Sequence, residues 1–397
     1  MILRSTFSTI AGSMIAGPMI AAFLCLAAPA SAGEVPGVAT DHILFGQSAA
    51  LSGPASELGT EMRRGIEAAF AEANRAGGIN GRRLDLIADD DRYEPEAAVA
   101  NTQKLIRENQ VFALIGAVGT PTSLAAEPIA MEAGVPFIAP FTGAAFLRDA
   151  KLTNVVNIRA SYFQETEKMV DSLVRDRGIT RIAVLYQDDS YGRTGLAGVR
   201  EALQRRSLPL AGTGAYLRNT TAIKTALLSL RDAEPQAIVV IGTYRPSAVF
   251  TQWARKLGLD AVILNISFVG SNALAAALGP AGAGVFVTQV VPFPAGDSLP
   301  LLAQYRAALT AHSPEAKPGF VSLEGYIAGR LSIEVLRQQG ADPTREGFVK
   351  TLDDIGSFDI GGFKLHYGPG DNQGSDEVFL TEIRRDGSIV PVEHLVR

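Results

Sequence analysis

The sequence predicts an α/β protein with two sheets of the same kind, and three observations lead there. Short apolar strands alternate with helical stretches over about 42–158 and again over about 181–288. Both series place loops rich in small and polar residues just past their strands. The chain has 397 residues, too many for one ordinary core, and 47% of them are apolar against 19% charged, a globular composition. Two sheets joined by several crossings of the chain explain the repeated pattern better than one large sheet.

In order, His42 to Ser48 is the first strand, followed by the small-residue loop Ala49 to Pro54. The next helix sets Met62, Ile66, Ala69, Phe70 and Ala73 on one face, and Gly77-Gly78 stops it. Asn80-Gly81 turns into the strand Leu84 to Ala88, then come Asp89-Asp90-Asp91, Tyr93 and a helix from Pro95 to Glu108. Ala113 to Ile115 and Val135 to Ala139 are strands flanking an alanine-rich helix. The loops beyond them, Gly116 to Gly119 and Pro140 to Gly143, fall where open α/β sheets hold ligands. Thr120 and Thr122 stand at the helix start, where free amides and hydroxyls suit a carboxylate and helix capping is the competing role.

Val155 to Ile158 is a short strand and Phe163 to Asp176 a helix. The second series has strands at Arg181–Tyr186, Leu210–Tyr216, Ala237–Ile241, Val262–Asn265 and Gly284–Thr288, with helices at Ala222–Leu230, Ser247–Leu257 and Ser271–Leu278. Helices at Leu299–Ala311, Val321–Gln338 and Thr344–Leu352 follow, and the tail from Gly362 reads as strands.

The first 32 residues read as an export signal. Arg4 is the charged start, Ile10 to Ala28 is mostly apolar, and Ala30-Ser31-Ala32 offers a cleavage site before Gly33. An uncleaved anchor is the alternative, but Gly12, Ser13, Gly17 and Pro18 interrupt the run. Cys25 is the only cysteine, and Ala22-Phe23-Leu24 before it is a poor lipobox. Cleavage would leave a chain with neither disulfide nor thiol chemistry. The net charge of −5 gives no electrostatic reason to bind nucleic acid or anionic membranes.

Catalytic and metal motifs are weak. The four histidines are scattered, and Asp89-Asp90-Asp91 lacks the glycine and later glutamate of a calcium loop, so it reads as a solvated strand end. No G-x-S-x-G elbow occurs, and Gly116 to Ser123 has neither G-x-G-x-x-G nor a GK[ST] ending. No catalytic residue, metal or cofactor is expected. Aromatics carry more information: Tyr93, Phe141, Tyr191 and Tyr244 each follow a strand's carboxyl end in a chain only 7% aromatic, which suggests a shared cleft for a small organic ligand.

The order SGPxxxxG (Ser52 to Gly59), AGGINGRRLDLIADDD, IGAVGTPTS, GVPFIAPFTGAAFLR, RIAVLYQDDSYGRTG and VVIGTYRP resembles the periplasmic leucine/isoleucine/valine-binding protein family, the solute-binding components of ABC transporters. The likeness runs from about 41 to 397. It implies the type I periplasmic-binding-protein fold: two Rossmann-like lobes, 41–160 plus 291–360 and 161–290 plus 361–397, joined by three hinge crossings around a cleft. It also implies a periplasmic monomer that delivers a small solute to an inner-membrane permease, with no nucleic acid partner. The ligand carboxylate would lie at Thr120 and at Phe141, Thr142 and Gly143, with second-lobe walls from Tyr191 and Tyr244 and a lining side chain at Leu58. Relatives that bind amino acids offer an acid to the ligand ammonium in the loop matching Ile266 to Phe268, where this chain has Ser267. Either Asp188, Asp189 or Glu165 substitutes, or the ligand has no α-ammonium. A sensory module without transport and a secreted carboxylate hydrolase are the rival functions.

Overall fold

Two helix-flanked sheets account for the alternation in the sequence. The computed structural model describes residues 5–10, 12 and 35–395. The expected cleavage site and Cys25 lie outside the described residues. Among those residues no helix is long and apolar enough to cross a membrane.

The first sheet is built from β1 (His42–Ala49), α1 (Ser56–Arg75), β2 (Arg83–Asp90), α2 (Pro95–Arg107), β3 (Ala113–Ile115), α3 (Thr120–Glu132), β4 (Phe137–Ile138) and β5 (Val155–Val156). Its strands are all parallel, in the order β2-β1-β3-β4-β5. β4 is shorter than its apolar run because Ala139 takes a positive φ of 47° ahead of Pro140.

The chain then crosses to α4 (Tyr162–Arg177), which Ser161 and Gln164 begin with a reciprocal capping box and Gly178 ends in the left-handed region. β6 (Ile182–Gln187), α5 (Ser190–Gln204), β7 (Leu210–Tyr216), α6 (Lys224–Asp232), β8 (Ala237–Ile241), α7 (Tyr244–Lys256), β9 (Val262–Asn265), α8 (Ser271–Leu278) and β10 (Val285–Gln289) follow. β6, β8, β9 and β10 are buried on both faces, as parallel strands under helices on both sides must be.

A second crossing leads back to α9 (Pro300–His312), α10 (Phe320–Gln339) and α11 (Arg345–Ile355). α1 and α10 lie close enough that a Cβ on Gly65 would sit 1.9 Å from the Ser322 carbonyl oxygen, and one on Gly325 2.2 Å from that of Met62. After β11 (Ser357–Ile360) and β12 (Phe363–His366) the third crossing delivers β13 (Phe379–Ile383) and β14 (Ile389–Val392) as antiparallel strands to the second sheet, whose order is β14-β13-β10-β9-β8-β6-β7.

The lobe boundary expected at 360/361 would cut the hairpin in which β11 pairs β12. That hairpin holds to α9, since the Leu301 amide donates to the Gly361 carbonyl at 2.9 Å, and Asn157 bridges to Gln373 beyond it. The chain leaves for the second sheet only after Gly374, whose amide donates to the Asn157 carbonyl at 2.8 Å. The strand at 357–360 was not expected, because only two of its four residues are buried and both flank an aspartate.

Candidate functional site

In each sheet the strand order reverses beside its first strand: β1 lies between β2 and β3, and β6 between β7 and β8. Loops leaving neighbouring strands diverge at such a point and open a crevice at their carboxyl ends. The two crevices face each other, and most of the expected residues meet there.

On the first lobe, Gly119 (φ 102°) starts α3, and a Cβ on it would lie 2.1 Å from the Tyr93 ring. Only glycine leaves room for that ring. Tyr93 itself takes a φ of 63°, an uncommon backbone state for an aromatic residue, held by its amide donating to the Asp91 carboxylate at 2.8 Å. The Thr120 and Thr142 hydroxyls are 2.7 Å apart, and Thr142 donates to the Tyr162 hydroxyl at 3.2 Å. Gly143 lets Tyr162 approach, since a Cβ would fall 2.7 Å from the Tyr162 amide nitrogen. Thr122 does not cap the helix: its hydroxyl turns back and donates to the Val118 and Gly119 carbonyls.

On the second lobe, Asp189 caps α5 by accepting from the Tyr191 and Gly192 amides, which aims the Tyr191 ring across the gap. Tyr191 and Phe268 rings lie 4.7 Å apart. Phe268 then meets Phe141 at 5.2 Å and Tyr93 at 6.0 Å, while Tyr191 meets Tyr162 at 5.4 Å. Burial holds the Tyr93, Tyr162 and Tyr191 phenols well above their ordinary pKa, so all three are neutral. Gln187 donates to the Tyr93 hydroxyl at 3.2 Å and closes the cluster from the β6 side.

Leu58 and Tyr244 stand apart from this cluster. Both are buried, yet both line an open cavity of about 750 Å³ between α1, α7, α8 and the 313–321 segment, with Glu57, Glu61, Arg64 and Arg245. Tyr244 is the first residue of α7, not a loop residue as the expected start at Ser247 implied. Pro246 falls in that first turn, where a missing amide proton costs nothing. The Tyr244 hydroxyl has no protein partner among the described residues.

Ser267 is drawn into a charge network that the sequence reading did not foresee. Arg159, wholly buried at the first crossing, donates to Glu165 at 3.0 Å and faces both Glu324 oxygens at 3.5 Å. It also donates to the Ser267 hydroxyl. Its guanidinium carbon lies 5.2 Å from the Phe141 ring centroid and 5.9 Å from that of Tyr162. Burial alone would depress its pKa, but Glu324 and Glu165 outweigh this and raise it. Glu324 is pushed up to about 7 by burial, against the pull of Arg159.

The aspartate cluster is not the solvated strand end expected. Asp90 accepts from the Leu51, Ser52 and Arg92 amides and ties the loop after β1 to the end of β2. Asp91 is fully buried on the Ser48 hydroxyl and the Tyr93 amide, and burial lifts its pKa to about 7. Three consecutive acids had suggested water, but two of them serve as turn caps.

Tyr162, Phe268 and Arg159 are the residues missed. Tyr162 and Phe268 follow the ends of β5 and β9, so the rule that found Tyr93 and Tyr191 would have found them too. Arg159 directly follows an apolar strand run, and a lone charge there is a signal of a buried ion pair.

Two α/β lobes, three crossings and apposed strand-end crevices define a hinged binding protein of the type I periplasmic class. A profile of the periplasmic binding protein family matches residues 43–388. The chain belongs to that family, on its leucine/isoleucine/valine-binding side. It is 40% identical to a possible leucine/isoleucine/valine-binding protein from Rhodopirellula baltica, covering 91% of this chain and 98% of that one at a TM-score of 0.85. A substrate-binding periplasmic protein from Ralstonia solanacearum is 31% identical, over 88% and 99% of the two chains, at a TM-score of 0.82. The Leu/Ile/Val-binding protein homolog 7 of Brucella melitensis is 29% identical over 60% of this chain, and the match spans 59% of that relative's length.

Proposed function

We propose that the chain is the periplasmic solute-binding component of an ABC transporter, a binding protein and not a catalyst. It is exported by its first 32 residues, works as a monomer, and hands its solute to an inner-membrane permease. The solute is a branched-chain amino acid or a related small carboxylate or amide. The observation that carries this reading is the meeting of Tyr93, Thr120, Phe141 and Thr142 from one lobe with Tyr191 and Phe268 from the other, at the carboxyl ends of both sheets.

A ligand shifts such a hinge toward its closed form only by bonding to both lobes. The hydroxyls of Thr120 and Thr142 and the first-turn amides of α3 suit the carboxylate or amide end, with Gly143 giving backbone access. Tyr93, Phe141 and Tyr191 are the walls. Leu58 and Tyr244 line the mouth, and Ser267 stands on the second-lobe side.

Calorimetry on Tyr191→Ala and Tyr244→Ala tests the cleft. Loss of wall area and any hydroxyl bond should weaken solute binding by about 1–3 kcal/mol in each. Unchanged affinity in both variants would remove the cleft from consideration.

A further inference from the structure

We infer that the solute of this cleft carries a carboxylate and no α-ammonium, a narrowing that rests on the solute-binding reading above. The sequence left two ways to meet the neutral Ser267 position: another acid for the amine, or a solute without one. The three acids that were candidates for that role are all engaged elsewhere.

Glu165 has four protein donors on its two oxygens. Oε1 accepts from Arg159 at 3.0 Å and the Ser267 hydroxyl at 2.9 Å, and Oε2 from the Ser267 amide at 3.0 Å and the Thr288 hydroxyl at 2.5 Å. A carboxylate offers about four acceptor directions, so none is left. Asp189 is in the same condition. Oδ1 accepts from the Tyr191 and Gly192 amides at 3.0 and 3.4 Å, and Oδ2 from Gln187 at 2.6 Å and Arg218 at 3.4 Å. Asp188 turns outward to Arg193 at 2.8 Å and is partly exposed.

Of the acids at the mouth, Glu61 pairs with Arg64, and Glu57 and Glu315 are exposed to solvent. Two further buried acids are near. Asp91 points to Ser48, which in turn accepts from Asn101 of α2, beneath the first sheet's edge and not into the cleft. Glu324 chelates the Arg159 guanidinium from α10. An ammonium that recruited Glu165 or Glu324 would have to take it from Arg159, leaving a buried guanidinium short of a counter-charge.

What faces the aromatic cluster is a cation and a row of hydroxyls. The Arg159 Nε–H is buried without a protein partner among the described residues, and the guanidinium lies within cation–π range of Phe141 and Tyr162. The linked hydroxyls of Thr120, Thr142 and Tyr162 stand beside it. The Arg159 Nε–H and the hydroxyls offer donors to a carboxylate, while the acids beside them, Glu165 and Glu324, are already bound to Arg159 and so are not free for an amine; the surrounding rings suit an apolar or aromatic body.

The test is calorimetry of the mature wild-type protein with matched pairs: leucine against 4-methylpentanoate, and phenylalanine against 3-phenylpropanoate, each with the corresponding amide as a third arm. At least one acid is expected to bind 100-fold or more tightly than its amino acid. An amino acid that equals or exceeds its deaminated acid overturns the inference. So does an amide that binds while the acid is silent, and so does a co-purified solute bearing an ammonium in native mass spectrometry. In all three cases the solute-binding reading survives. If no member of either series binds, the inference falls. If, in addition, native mass spectrometry finds no small molecule and scattering finds no closure, the solute-binding reading falls with it.

Discussion

The inner cluster and the mouth of the cleft are built on opposite terms. Inside, Tyr93, Phe141, Tyr162, Tyr191 and Phe268 touch one another, and the charges beside them are buried and paired. At the mouth, Leu58 and Tyr244 line an open cavity with Glu57, Glu61, Arg64 and Arg245, where charged heads reach solvent. The dry region makes every polar group count, because an unpaired one has no water to turn to. The wet region tolerates mispairing. Removing a charge should therefore cost far more inside than outside, and each of the following changes can break that contrast.

The largest effect is expected at Arg159. Replacing it with methionine keeps the stem's apolar contacts and removes the charge, which strands Glu165 against Ser267 and Thr288 alone. Breaking one side of a buried ion pair costs about 3–5 kcal/mol. Chemical unfolding of Arg159→Met should show a loss of that order. A loss under about 1 kcal/mol would mean that the network is wetter than its burial implies.

Next comes Glu324. Its folded pKa is raised from 4.5 to about 7, chiefly by burial, and Asp91 rises from 3.8 to about 7 for the same reason. The folded chain thus holds these protons more tightly than the unfolded chain. Their contribution to stability is complete below about pH 4, declines as pH climbs, and is gone above about pH 7. For Glu324 the change of about 2.5 units corresponds to on the order of 3 kcal/mol. Melting temperature should fall between pH 5 and pH 7.5, and Glu324→Gln should flatten that slope, leaving the share due to Asp91. An unchanged slope in the variant would place Glu324 in contact with water.

The same contrast explains what could be read from the sequence. Fold class, family and most strands were legible because parallel strands between helices leave short apolar runs whose period needs no tertiary information; β3, β8 and β9 have the bounds their composition dictates. Tyr93, Thr120, Phe141, Thr142 and Tyr191 were legible as strand-end residues, and the structure brings them together. Arg159 and Glu324 were not, since they lie 165 positions apart and become a pair only when the first crossing meets α10. Asp91 misled for a related reason: composition reports charge, but only the turn at Tyr93 shows that the charge is capped. The hairpin of β11 and β12 escaped because an amphipathic four-residue strand carries too little pattern to stand out.

The smallest effect tests the rim on the side of the cleft away from the cavity. Arg218 on the second lobe donates to Glu94 of the first at 2.6 Å, and Asn219 adds a bond to the same carboxylate at 2.7 Å. Glu94 is substantially exposed, so solvent and salt screen the pair, and such bridges contribute about 0.2–1 kcal/mol. Arg218 also touches Asp189, the cap that aims Tyr191, but at 3.4 Å and alongside three other donors, two of them closer. Arg218→Ala should therefore weaken solute affinity by at most about fivefold, with a deficit that shrinks as salt rises from 0.05 to 0.5 M. A larger, salt-independent loss would mean that Arg218 acts through Asp189 on the Tyr191 ring, and the line between a dry interior and a forgiving rim would have to be drawn further out.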